Sequence, residues 1–294
     1  MLRHAELIAS NSEGSLPPDA YIPACNESLK LLYNLMTNYP NHAPRFAGIL
    51  LPILKILNSA PIPSPPLQPP ISWSINCLVH LDLVDTRTRD GAMTALFPEF
   101  NSNINTDRLV RILDLATQAY NDEEMDRYGS PLVQVLVQTA EFAPPDPKAR
   151  LRELLLPSNL DREKVLGTGD SLPARLLRLS AALTAPNLRQ LIPALLFELS
   201  DKNVQRFVHN IGYGYAAGFL QLNGLQLPSG PLDDDGVGGN SETFEVNPIT
   251  GQRRDREPGP PIPEMTDEEK EREAERLFVL FERSVLAFSP PFLY

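Results

Sequence analysis

Thirty prolines, half of them gathered into four clusters, constrain this 294-residue chain more than any other feature. Leu16-Pro-Pro18, Pro61 to Pro70, Pro144-Pro-Asp-Pro147 and Pro258 to Pro263 fall between apolar blocks. Proline lacks an amide and clashes with the preceding helical turn, so such clusters end helices and set the direction of the next one. Between them apolar residues recur three to four apart. Leu29, Leu31, Leu32, Leu35 and Met36 form one such run, and Phe46, Ile49, Leu50, Ile53, Leu54 and Leu57 another. Further runs follow at Ile75–Leu83, Leu109–Ala116, Leu132–Ala140, Leu176–Leu183 and Leu191–Leu199. Strict two-residue alternation is scarce, so the spacing predicts an all-α chain. Helices of about 10–18 residues returning roughly every 40–47 residues predict an armadillo/HEAT-like helical-repeat solenoid. A single compact bundle satisfies the same spacing.

The solenoid is expected over residues 1–225. Beyond Leu225 the composition shifts: Pro228, Pro231, Asp233-Asp-Asp235 and Gly238-Gly239 leave little to bury, so 226–264 reads as a flexible, disordered acidic linker. Residues 265–294 form a final helix and tail. Thr266 with Glu269 is a capping box, and Ala274, Leu277, Phe278, Phe281 and Val285 make one apolar stripe. That stripe must dock either on its own solenoid or on a partner.

Composition excludes several classes. A formal net charge of −11 is the wrong sign for a nucleic-acid interface or an anionic membrane surface. No run approaches the roughly 20 apolar residues of a membrane span, and the first residues lack the apolar core of a secretory signal. Cys25 and Cys77 offer no disulfide framework or metal spacing, and His4, His42, His80 and His209 are scattered. No metal or cofactor site is expected. Gly167-Thr-Gly-Asp-Ser171 is neither a nucleophile elbow nor a phosphate loop, and Ser171 with Asp170 is expected to cap a following helix.

Gly212-Tyr-Gly214-Tyr-Ala-Ala217 has the G-x-G-x-x-A form of a dinucleotide fingerprint. That motif works only between a buried strand and a helix, with an acidic residue about 20 positions on. Phe197–Val208 instead has helical spacing, so a turn between the last two solenoid helices is the better reading. A binding or regulatory protein is therefore favoured over an enzyme of bond chemistry.

The same stretch carries a resemblance. Val204-Gln-Arg-Phe207 followed by Gly212-Tyr-Gly214-Tyr-Ala-Ala-Gly218 resembles the Val-x-Arg-Phe … Gly-Tyr-Gly-Asn-Ala-Ala-Gly passage of the synembryn family. Asn247-Pro-Ile-Thr-Gly251 and Met265-Thr-Asp-Glu-Glu269 with Leu277-Phe278 and Phe281 resemble motifs of its tail, in the same order. Asn34 and Asn76 resemble concave-face asparagines of its earlier repeats. The resemblance implies an armadillo/HEAT solenoid without a cofactor. It implies a non-receptor guanine nucleotide exchange factor and folding chaperone for heterotrimeric G-protein α subunits. It further implies that the α subunit's C-terminal helix is gripped on the concave face while the last helix reaches the switch region. On this reading Asn34, Asn76, His80, Arg175, Arg178, Arg206 and Phe207 are the expected partner contacts, and Phe278 and Phe281 dock the last helix. A monomer in the cytoplasm is expected, recruited to the cell cortex or plasma membrane without inserting. The alternative from another class is an armadillo-type scaffold that binds a peptide without exchange activity.

The chain departs from the family in four places. Tyr215 stands where many members have asparagine, and Ser229, Ser241 and Thr243 lack an acidic residue three positions on. Members are longer at the N-terminus, so the chain is expected to begin part-way along the solenoid, without part of the groove. Ser284–Tyr294 does not resemble the family's continuation.

Overall fold

A computed structural model of the chain describes residues 1–10, 21–81, 83, 95–226, 245–257, 270–272 and 274–278. Its named helices are α1 (Leu2–Ser10), α2 (Tyr21–Asn38), α3 (Leu50–Ser59), α4 (Ile71–Val79), α5 (Ile104–Ala119), α6 (Asp122–Phe142), α7 (Pro145–Leu155), α8 (Leu172–Ala181), α9 (Leu188–Leu199), α10 (Val204–Ile211) and α11 (Tyr213–Leu222). Among the described residues there is no strand, only one isolated antiparallel bridge between Val246 and Arg253. The chain is all-α, with successive helical pairs stacked as a repeat array. Met1–Asp255 form one compact unit, and a second begins at Arg256.

Two ladders of helices run through the first unit. One runs α2, α4, α6 and α9, each packed on the next; the other runs α1, α3 and α5, with α7 and α8 following against α5. The apolar spacing explains this layering. Cys25, Leu29, Leu32 and Met36 on α2, or Leu132, Val133, Leu136 and Ala140 on α6, place one stripe into a core shared by both ladders. Phe46 and Ile49, read from sequence as part of a helix with Leu50–Leu57, lie instead in 3₁₀ turns over Pro40–Ile49. The helix proper starts at Leu50.

Helix ends are closed in ways only partly visible in sequence. Ser171 caps α8 as expected, its hydroxyl accepting the Ala174 amide. Asn121 and Glu124 form a reciprocal capping box on α6. Asp126, nearly buried on α6, accepts the Leu188 amide at 2.8 Å and the Asn187 side chain at 2.9 Å, capping α9 from a neighbouring helix. The C-terminal carbonyls are met by arginines. Arg108 donates to Leu57 and Ala60 at the end of α3, and Arg152 to Leu199 at the end of α9.

In the second unit, residues 270–272 and 274–278 are helical, and Leu277 and Phe278 are exposed. The Thr266–Glu269 capping box, Phe281 and the acidic stretch 227–244 lie outside the described residues.

Both cysteines are buried free thiols in the α2–α4 core, where burial pushes Cys25 up to about 11 and Cys77 up to about 12. In the unfolded chain they ionise first, near 9.0. Their contribution to stability is therefore full below pH 9 and declines as pH rises toward the native values. Urea midpoints should fall between pH 8 and 10.5, and a Cys25→Ala, Cys77→Ala double variant should flatten that slope. A thiol reagent at pH 8 should label neither cysteine until the chain is unfolded.

Candidate functional site

Where the faces of α2, α4, α6 and α9 meet outside the core, they enclose an open cavity of about 510 Å³. Each helix of that ladder contributes to it. From α2 comes Tyr33, whose ring lies 5.7 Å from Trp73 and meets His80 edge-on at 5.4 Å. From α4 come Asn76 and Val79, with His80 just after the helix end. Asn76 and His80 are one helical turn apart, so both point the same way.

The α6 wall is polar. Arg127, Ser130 and Gln134 follow one another at three- and four-residue spacing, opposite the stripe that fills the core. Pro131 sits inside this helix and brings no amide to the Arg127 carbonyl. Gln138, one turn further along, donates to the Val79 carbonyl at 3.3 Å and has a buried Oε1 without a partner. Asn187 and Leu191 supply the α9 wall. The lining combines the Tyr33 and His80 rings and the Val79 and Leu191 side chains with the Asn76, Gln134 and Asn187 amides, the Arg127 guanidinium and the Asp126 carboxylate. Such a lining receives an apolar side chain together with unpaired backbone groups of a peptide. The Ser130 hydroxyl is engaged by the Asp126 carbonyl, and no cluster among the described residues has the make-up of a metal site.

Of the residues expected from sequence to contact a partner, Asn76 and His80 line this cavity, and Asn34 is exposed on α2 close by in sequence to Tyr33. The others are placed elsewhere. Arg175 pairs with Asp114 and donates to Thr117 on α5 and to the Asp170 carbonyl. Arg178 donates to the Gly167 and Gly169 carbonyls. Arg206 pairs with Asp201 at 2.8 Å, half exposed on α10. Phe207 is fully buried and packs with Phe197 and Phe219, ring centroids 5.3–5.5 Å apart. Phe278 is exposed in the second unit. Tyr33, Gln134 and Asn187 were not anticipated. The signal for Gln134 was present as the polar complement of the α6 stripe, whereas Tyr33 and Asn187 reach the cavity only through packing.

The Gly212 segment is a turn. Gly212, at φ 77°, ends α10 and begins α11, and no strand precedes it. It also meets the second family-like motif directly. The amides of Tyr213 and Gly214 donate to the Pro248 and Ile249 carbonyls at 2.7 and 3.1 Å. Stretches some 35 residues apart are thus one piece of structure.

A family model described as "guanine nucleotide exchange factor synembryn" matches residues 1–285. The chain belongs to the synembryn family. It is 30% identical to the mouse chaperone Ric-8A over 188 residues, covering 61% of this chain and 35% of the mouse protein. A synembryn-like chaperone of Schizosaccharomyces pombe is 33% identical over 164 residues, 52% of this chain and 31% of the yeast one. The zebrafish chaperone Ric-8A is 32% identical over 140 residues, 45% of this chain and 25% of its own. The chain thus spans about a third or less of the length of these relatives.

Two substitutions separate frame from cavity. Phe207→Ala should cost about 3–5 kcal/mol of unfolding free energy by emptying the aromatic cluster. Asn76→Ala should cost less than about 1 kcal/mol, since it removes a half-buried cavity-facing amide. Urea unfolding of the two variants checks both.

Proposed function

We propose that this synembryn-family chain acts on α subunits of heterotrimeric G proteins (Gα) as a guanine nucleotide exchange factor and folding chaperone. The family's description as an exchange factor and the chaperone names of its relatives support the activity. The observation that carries the site is the cavity between α2, α4, α6 and α9, whose amides and aromatics suit the end of a helix. The C-terminal helix of Gα ends in carbonyls without helical partners. Asn34, Asn76 and His80 are the proposed contacts, with Gln134 and Asn187 completing the polar wall. Arg175, Arg178 and Phe207 belong to the frame that holds this wall in place. Phe278 and Phe281 carry the second contact, made by the C-terminal helix.

Exchange on this account requires no bond chemistry. A protein that binds nucleotide-free Gα more tightly than GDP-bound Gα lowers GDP affinity by the same factor. A difference of about 5.5 kcal/mol is enough to turn a nearly full site into a nearly empty one. The chaperone activity is the same preference applied to a Gα that has not yet acquired nucleotide. The chain is proposed to work as a cytoplasmic monomer recruited to the cell cortex. No described helix is long and apolar enough to cross a membrane.

Purified chain mixed with GDP-loaded Gα should accelerate GDP release, and the Asn76→Ala, His80→Ala double variant should slow it about tenfold or more. Failure to form a complex and to release GDP contradicts the proposal; a complex without release favours the scaffold reading. Removing 265–294 should weaken release more than capture of a Gα C-terminal peptide. Equal loss of both assigns that segment a purely structural role.

A further inference from the structure

Residues 245–255 return to the solenoid after the 227–244 stretch, and the way they are held is that of a ligand in a site. The turn Asn247-Pro-Ile-Thr-Gly251 is stapled within itself. Asn247 Oδ1 accepts the Ile249 and Thr250 amides, and its carbonyl accepts the Gly251 amide. A segment shaped by its own hydrogen bonds loses little conformational freedom when it docks.

Its seat is built from two places, joined by the Arg162 side chain. The N-terminus of α11 presents the Tyr213 and Gly214 amides to the Pro248 and Ile249 carbonyls. The loop after α7 presents the Leu166 amide to the Thr250 carbonyl, the Arg162 carbonyl to the Arg253 amide, and the Glu163 carbonyl to the Gln252 side chain. Between them lies Arg162, only 6% exposed. Its guanidinium donates to the Gly251 carbonyl and to the His209 and Asn210 carbonyls at the end of α10. One buried cation therefore closes the C-terminus of α10 and grips the turn at once. Burial lowers its pKa to about 10, which leaves it charged at neutral pH. Asp161 beside it is also drawn in. Burial alone pushes its carboxyl up, but hydrogen bonds from Ser171 and Ser158 and the charge of Arg162 hold it below its usual range.

The fit is close enough to specify the ligand. A Cβ on Gly212 would stand 2.9 Å from the Ile249 carbonyl oxygen and 3.0 Å from the Gly251 amide. Gly251, at φ 69°, has no room for a side chain against Leu166. Tyr215 closes the far side with its hydroxyl on the Leu166 carbonyl.

We propose that the Arg162 loop and the α10–α11 junction form a peptide-binding socket specific for an Asn-Pro-x-Thr-Gly turn, occupied in cis by residues 247–251 as a clamp. It rests on this geometry and not on the Gα reading. The loop-closure cost grows only slowly with length, so the clamp tolerates insertions between Leu227 and Phe244. The socket anchors the chain as far as Asp255, ahead of the second unit.

A site-specific protease sequence inserted between Gly238 and Gly239 of the full chain allows the clamp to be cut from the solenoid without touching the socket. The two fragments should still co-elute at micromolar concentration on native gel filtration. An excess of synthetic peptide spanning residues 245–256 should displace the C-terminal fragment, and Asn247→Ala and Gly251→Ala peptides should do so at least about tenfold less well. An Arg162→Lys chain, if it folds, should release the fragment on cutting. Immediate separation of the cut wild-type chain overturns the proposal, as does displacement that is equal for all three peptides.

Discussion

Every helix in a solenoid ends at the edge of its neighbours, and the amides and carbonyls left at those ends must find partners before the apolar faces can be buried. In this chain several of those partners come from distant parts of the sequence. Asp126 of α6 closes α9 at its start, Arg152 of α7 closes α9 at its finish, and Arg108 of α5 closes α3. Arg162 does the same for α10 and adds the returning turn. These long-range caps fix the register between successive helices, because each needs a side chain and a helix end to coincide to within hydrogen-bond distance. The cavity between α2, α4, α6 and α9 is a consequence: its walls are set by the same stacking.

Much of this was legible in the sequence. The three-to-four spacing around Leu29, Ile53, Leu113 and Leu136 encodes an apolar face directly, and proline clusters mark where it must stop. The serine cap at Ser171 is a local signal between neighbouring residues, and so could be read. Long-range caps are different in kind. Nothing near Arg175 or Arg178 in sequence announces that Asp114 or the Gly167 carbonyl will stand opposite. A basic residue on a helix looks the same whether it meets a partner protein or a neighbouring carbonyl. The site was visible only in part for that reason: Asn76 and His80 share one helical face, while Tyr33 and Asn187 join them through packing.

The two motifs that single out the family illustrate the same limit. Gly212-Tyr-Gly214 and Asn247-Pro-Ile-Thr-Gly251 were each recognisable, but their union depends on carbonyls, amides and the absence of side chains. Gly212 and Gly251 are spaces for each other's backbone as much as turn formers. Tyr215 has its own local logic, its ring filling space over Gly167 and its hydroxyl meeting the Leu166 carbonyl.

On the proposed function the faces of α2, α4, α6 and α9, rather than the opposite ladder, receive a helix of the partner. Hydrogen exchange of the free chain, with and without a peptide matching the C-terminal helix of Gα, distinguishes the two faces. Slowed exchange is expected in residues 76–80 and 127–134, with α3 and α5 unchanged. Protection confined to α1, α3 and α5, or none anywhere at saturating peptide, would contradict it.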